Sequence, residues 1–243
     1  MSTGKLDGKA LANLLAKVYL GGLVNECLLE IEKGTAIVCA LDDARAVYIY
    51  AEDEIEADDL KIGLSNLGTI LKLFSRGGQI EYTIQDRYLN LLLPNKEKVK
   101  LLTIEPDQVH SVPRTKINID KMIANSDVAS FTCTGSVLEK LCEYRGLLVV
   151  KTISLWTRGG YAHMGSSSTR ERQFTVPRIA ELDGGWEGDN IGEFYGDHLE
   201  LVLKAALAAK DEVKVYLGAS GVPLVVTQGK SWWMLVSFGE PNK

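Results

Sequence analysis

The chain has 243 residues, 46% of them hydrophobic and 24% charged, with a net charge of −5. That apolar content supports a packed core and excludes a disordered or low-complexity chain, and the length admits one large domain or two of about 120 residues. No apolar run reaches the roughly 18 residues that a bilayer-crossing helix needs, and the start Met1-Ser2-Thr3-Gly4-Lys5 lacks the apolar centre of a signal peptide, so a soluble intracellular protein is expected.

Residues 7–19 place Ala10, Leu11, Leu14, Leu15 and Val18 at helical spacing and run into the stop signal Gly21-Gly22. Residues 25–32, 35–42 and 46–52 alternate as strands, separated by Lys33-Gly34 and Asp43-Ala44-Arg45. A strand at 59–64 leads into a helix over 65–75 carrying Leu67, Ile70, Leu71 and Phe74. Strands at 79–85, 88–93 and 99–104 follow, and the short breaks between them imply antiparallel neighbours. Residues 105–115, with Pro106, Pro113 and few core side chains, read as an extended linker.

The order then begins again. A strand at 128–134 leads into a helix over 136–144 that ends at Gly146, and strands at 147–156, 161–166 and 172–179 follow. A Gly/Asp-rich break at 183–190 precedes a strand at 191–195 and a helix at 198–209, and strands at 213–219, 224–228 and 232–238 close the chain. A helix-plus-strands unit therefore recurs four times, two per half. The expected fold is α+β, with two similar domains at 1–104 and 116–243 joined by 105–115.

Little points to chemistry. Cys27, Cys39, Cys133 and Cys142 form no C-x-x-C pair and read as small buried thiols. His110, His163 and His198 stand apart, without metal-ligand spacing. No G-x-S-x-G, P-loop or H-E-x-x-H is present, so neither metal, cofactor nor catalytic residues are expected. The acidic run 52–59 lies on one connector, which suits a solvated loop better than a nuclease site built from converging elements. Trp232-Trp233 alternate across a strand, one ring inward and one outward.

Three motifs join this element order: Gly221-Val222-Pro223-Leu224-Val225-Val226, the turn Ala40-Leu41-Asp42-Asp43-Ala44-Arg45-Ala46-Val47, and Arg145-Gly146-Leu147 before an alternating apolar run. Together they resemble the PCNA-like sliding clamps of DNA replication, across essentially the whole chain. The third motif and the compact length resemble phage or viral members in particular. The linker departs from cellular clamps in lacking acidic, glutamine-rich character, which bears on partner affinity rather than fold.

The resemblance implies a non-enzymatic ring around duplex DNA, most simply a homotrimer, that tethers a DNA polymerase and is opened by a clamp loader. Host cytoplasm is implied if the protein is phage-encoded, and nucleus or nucleoid otherwise. In such rings the helices line the hole and must attract phosphates without reading bases. The cations on the expected helices are Lys9 and Lys17; Lys72 and Arg76, four apart and so stacked on one face; Lys140 and Arg145; and Lys204 and Lys210. Edge strands at 98–104 (Lys98, Lys100, Leu102, Ile104) and 172–178 (Arg172, Phe174, Val176, Arg178) are the implied subunit joint. A peptide groove is implied at Leu41, Asp42, Asp43, Ala44, Val109, Val112, Pro113, Pro223, Leu224 and Pro241. Two alternatives stay open: a subunit of a heteromeric checkpoint-type ring, and a hydrolase on an α+β scaffold using scattered acids.

Overall fold

The computed structural model describes residues 2–109, 117–124, 127–166, 173–208, 210–219 and 222–237. The chain divides into two compact units, Met1–Thr115 and Lys116–Lys243.

In the first unit the order is β1 (Ser2–Asp7), α1 (Gly8–Tyr19), β2 (Glu26–Glu32), β3 (Thr35–Leu41), β4 (Val47–Glu54), β5 (Leu60–Ser65), α2 (Leu67–Phe74), β6 (Gln79–Gln85), β7 (Tyr88–Leu92) and β8 (Lys98–Leu102). Two antiparallel arrays form, β1-β6-β7-β8 and β5-β2-β3-β4. Asp7 caps α1 by accepting from the backbone N–H groups of Lys9 and Ala10 at 2.8 and 3.0 Å. Leu11, Leu14, Leu15 and Val18 are buried along one stripe of α1, and Leu67, Ile70 and Phe74 along one stripe of α2. The two helices pack on each other, and α1 also packs on β3 and β4.

The second unit runs α3 (Ile119–Ile123), β9 (Ala129–Thr134), α4 (Gly135–Leu148), β10 (Thr152–Arg158), β11 (Tyr161–Gly165), β12 (Thr175–Glu181), β13 (Ile191–Tyr195), α5 (Gly196–Leu207), β14 (Glu212–Leu217), β15 (Leu224–Gln228) and β16 (Ser231–Leu235). Its arrays are β12-β11-β10-β13 and β16-β15-β14-β9, with α4 packed on α5.

A strand, a helix and three strands recur four times, and the copies are interlocked. The strand before each helix leaves its own copy and pairs with the other: β1 with β6, β5 with β2, β9 with β14 and β13 with β10. Each repeat lacks a complete sheet until the second repeat of its unit is present, so each unit should fold as a whole.

Several expectations are corrected. The strand β1 was not anticipated, because Leu6 is its one core residue; six register partners on β6 hold it in place. The helix expected over 65–75 ends at Phe74, and the turn 75–77 follows. Gly146 does not stop α4, which runs on to Leu148 and ends where Val149 takes a left-handed conformation with φ 52°. A single glycine costs a helix only about 1 kcal/mol, and space beside Gly146 is open. The expected strand at 147–156 accordingly begins at Thr152. The expected strand at 172–179 is β12, which starts at Thr175 and bulges around Pro177, a residue that edge strands tolerate.

The acidic run is only partly a connector. Residues 52–54 belong to β4, Asp58 accepts from the Lys5 N–H at 2.7 Å, and Asp59 accepts from the Lys33 N–H at 2.8 Å. Asp58 and Asp59 thereby satisfy backbone donors of neighbouring segments. Cys27 and Cys133 are buried and Cys39 and Cys142 half-buried, all four as free thiols. Burial pushes the Cys27 thiol up, and that of Cys133 up to about 12. Trp233 is buried and Trp232 half-buried. Among the described residues no helix is long and apolar enough to cross a membrane.

The turn between β12 and β13 is tied down by charge. Asp183 accepts from Ser130 on β9 and pairs with Lys214 on β14, both at 2.5 Å. Desolvation opposes ionisation there, but the hydrogen bonds from Lys214 and Ser130 and the Lys214 charge outweigh it and hold the carboxyl below its ordinary value. Its contribution is therefore complete above the unfolded aspartate pKa and is lost as pH falls through the lower folded value. Asp183→Asn should cost about 0.5–1 kcal/mol at neutral pH, a small figure because the side chain is partly exposed. In urea titrations the gap between variant and parent should close as pH drops below that range.

Candidate nucleic-acid interface

The solvent face of the α1–α2 layer is set by the residues opposite its buried stripes. Lys9, Asn13 and Ala16 are exposed on α1, and Thr69 and Lys72 on α2, with Asn66 just before it. Neither helix contains a carboxylate. Lys9 and Lys72 have no ion-pair partner among the described residues. Lys17 is different: it is half-buried and pairs with Asp53 on β4 at 3.7 Å. Arg76, expected to stack on Lys72, lies past the end of α2 and donates to Glu97 at 2.6 Å. The hydrogen bonds from Asn95 and Arg76 keep the Glu97 carboxyl below its ordinary value.

The α4–α5 layer is electrostatically different. Arg145 pairs with both Asp197 and Glu200, and Lys204 donates to Glu200 at 2.5 Å. Glu200 is buried between the two cations. Burial alone would raise its pKa, but hydrogen bonds from Lys204 and Arg145 and their charges hold the carboxyl below its ordinary value. The same contacts raise Lys204 and Arg145. Lys140 is exposed without an ion-pair partner among the described residues, between exposed Glu139 and Glu143. Lys210 is exposed beyond α5 and is followed by exposed Asp211 and Glu212. Sequence reasoning missed Asp197 and Glu200 as the neutralising partners, since their approach to Arg145 bridges about 50 residues.

Two terminal strands complete the geometry. In the first unit β8 pairs, among the described residues, only with β7, with Lys98, Lys100 and Leu102 exposed in alternation. The Lys100 ammonium sits 3.8 Å from the centre of the Tyr88 ring. Ile104, past the strand, exchanges backbone hydrogen bonds with Gly63. In the second unit β12 pairs, among the described residues, only with β11. Phe174 and Val176 face inward, and Phe174 stacks on Tyr144 of α4 at 5.0 Å between ring centres. Arg178 is exposed over the Tyr161 ring, and Arg172 lies outside the described residues. The Tyr144–Phe174 stack anchors the end of α4 beside this edge, where Leu147 and Val149 are 70% and 71% exposed. Their apolar character suggested a core strand; the extra turn of α4 puts them in solvent instead.

A scan against protein-family models and a search of curated protein sequences both return no match. Solved structures do match. The chain superposes on A. fulgidus PCNA, solved with the C-terminal region of FEN-1 bound, with a TM-score of 0.72 and 14% identity over 100% of both chains. It also matches a chain of the PCNA2–PCNA3 complex from Sulfolobus tokodaii (TM-score 0.67, 11% identity, 98% of this chain and 100% of that one). The DNA polymerase sliding clamp from Pseudomonas aeruginosa gives a TM-score of 0.72 at 12% identity, over 97% of this chain and 66% of that one. The fold is that of the sliding clamps.

Within this clamp fold, the implied groove residues fall as separate pieces. In the first unit Leu41 and Asp42 are buried, whereas Asp43 and Ala44 are exposed at the tip of the turn. Asp42 accepts from the N–H groups of Ala46 and Val47, both at 2.7 Å, so it shapes the turn from inside and leaves Asp43 and Ala44 in solvent. Val109 is buried. In the second unit Leu224 is buried and Pro223 half-exposed. Val112, Pro113 and Pro241 lie outside the described residues, as does His110. Among the described residues no group of His, Cys, Asp and Glu is placed to hold a metal ion.

Proposed function

We infer that this protein is a sliding clamp: copies join edge to edge into a ring, most simply a homotrimer, that encircles duplex DNA and holds a DNA polymerase on it. The observation that carries this reading is the end-to-end match to a PCNA chain, 100% of both chains at a TM-score of 0.72. Two features of this chain support it. The α1–α2 layer offers cations without carboxylates, as a surface that must attract phosphates indifferently requires. Each unit also carries a strand that ends its sheet among the described residues, β8 and β12, suited to a heterologous contact that closes on itself.

In the ring, β8 of one copy pairs with β12 of the next. Leu102, 61% exposed, meets Leu147 and Val149, burying apolar surface that the isolated chain leaves in water. A clamp loader opens this joint, and partners dock short peptides at the exposed turn 43–45 and around Pro223. That the A. fulgidus clamp is bound by the C-terminal region of FEN-1 supports such docking. An intracellular location follows from a role on replicating DNA. A phage or viral lineage then rests on the compact length alone, since Arg145-Gly146-Leu147 lies inside α4 rather than at a helix-to-strand turn.

A ring is held by topology, so the test is topological. Loaded onto a nicked circular plasmid, the protein should be retained through high-salt gel filtration and released when the plasmid is cut once. Equal loss from circular and linear DNA would end this reading. The likeness to a chain of a PCNA2–PCNA3 complex supports a second arrangement, a ring of unlike subunits. Sedimentation decides between them: a single species near three times 26.7 kDa marks the homotrimer, and a monomer that assembles only with a different chain marks the heteromer.

A further inference from the structure

The two helical layers differ in charge, and this difference has a functional consequence. The helices α1 and α2 hold three lysines and no carboxylate. The helices α4 and α5 hold three cations, Lys140, Arg145 and Lys204, against four carboxylates, Glu139, Glu143, Asp197 and Glu200. Arg145 and Lys204 are already engaged by Glu200, and Arg145 also by Asp197. A cation held between buried and exposed carboxylates gains little from a phosphate, because the carboxylate left behind must be compensated. Lys140 stands alone between Glu139 and Glu143, whose like-signed repulsion of a phosphate offsets its attraction. Of the helix lysines on the acid-free face, Lys17 is turned to Asp53, which leaves Lys9 and Lys72.

We propose that contact with the phosphates of duplex DNA is confined to the α1–α2 layer of each copy, with Lys9 and Lys72 as the contact residues, and that the α4–α5 layer supplies no net attraction. This rests on the clamp reading for the presence of the duplex but not for the location of the contact. Neutral donors beside the lysines, the side-chain amides of Asn13 and Asn66, add hydrogen bonds to phosphate oxygens without base specificity, while the Thr69 hydroxyl donates to the Asn66 amide oxygen at 3.0 Å. The bound duplex is therefore gripped at one layer per copy rather than two.

The test follows the salt dependence of affinity for a short blunt duplex, together with NMR of reductively methylated lysines in the intact protein. At about 0.9 per phosphate contact, the slope of log affinity against log salt should be about 2 per copy, against about 7 if all eight cations assigned from sequence took part. The paired change Lys9→Ala and Lys72→Ala should remove most of that slope and weaken low-salt binding about tenfold or more. Lys140→Ala should leave both unchanged. Independently of any variant, the methyl signals of Lys9 and Lys72 should shift on adding duplex, while those of Lys140 and Lys204 stay in place. Equal shifts in all four, or an unchanged slope in the paired variant, overturns the proposal. Plasmid retention reports separately on the ring: its loss with the lysine shifts intact would sink the clamp reading and leave the phosphate face standing.

Discussion

Asn190→Ala should lower the unfolding free energy by about 2 kcal/mol, because it strips the buried Leu217 carbonyl and the part-buried Asp127 carbonyl of their donor. The Asn190 side-chain amide donates to the carbonyls of Asp127 and Leu217, both at 2.8 Å. Its backbone is bound as tightly: its N–H donates to the Thr157 hydroxyl at 2.7 Å, and its carbonyl accepts from the Thr157 N–H at 2.9 Å. The Thr157 hydroxyl in turn donates to the Gly188 carbonyl at 2.8 Å. Thr157 is on β10, Leu217 ends β14 and Asp127 precedes β9, so one residue that is 5% exposed links both arrays of the second unit. Urea unfolding should show the loss as a lower midpoint with little change in slope. Asn190→Asp gives the sharper result. At neutral pH it sets a carboxylate against two carbonyl oxygens and should be worse than alanine, and acid should partly restore it by protonating that carboxylate. If aspartate is tolerated as well as asparagine, the amide is not the link described.

Glu200→Gln should cost about 2 kcal/mol, since it keeps the shape but removes the charge between two cations. The Glu200 carboxylate accepts from Arg145 at 2.6 Å and from Lys204 at 2.5 Å, joining α4 to α5. Its folded pKa lies below the ordinary 4.5, so its stabilising contribution is complete above the unfolded value and disappears as pH falls through the folded one. In Glu200→Gln that acid-dependent part is absent. Parent and variant should differ most near neutrality and converge in acid, which thermal melts across pH would reveal. A constant difference at every pH would mean that packing, not charge, accounts for the loss. Glu200→Gln also frees Lys204 and part of Arg145, so the weakened α4–α5 layer should gain affinity for duplex DNA even as it loses stability.

The architecture was largely legible because its signals are local. The helices α1 and α2 and the strands β2 to β4 follow from periodicity, since each buries a regular stripe or face of its own. The misses share a cause. The strand β1 has one core residue and exists through its register with β6. The extra turn of α4 passes a glycine that local rules read as a stop. The bulge in β12 arises where Pro177 meets an edge. Each depends on a partner distant in the chain.

The site divides in the same way. The sequence alone determined which helices carry cations and that no catalytic motif is present, because composition and spacing are properties of the chain itself. Tertiary structure decided which cations are available. Only folding brings Asp53 to Lys17, Glu97 to Arg76, and Asp197 and Glu200 to Arg145, turning eight similar candidates into a small free set. The physical reason is range. Burial patterns repeat every two to four residues along the chain, whereas an ion pair forms between whichever charges the fold brings within a few ångströms.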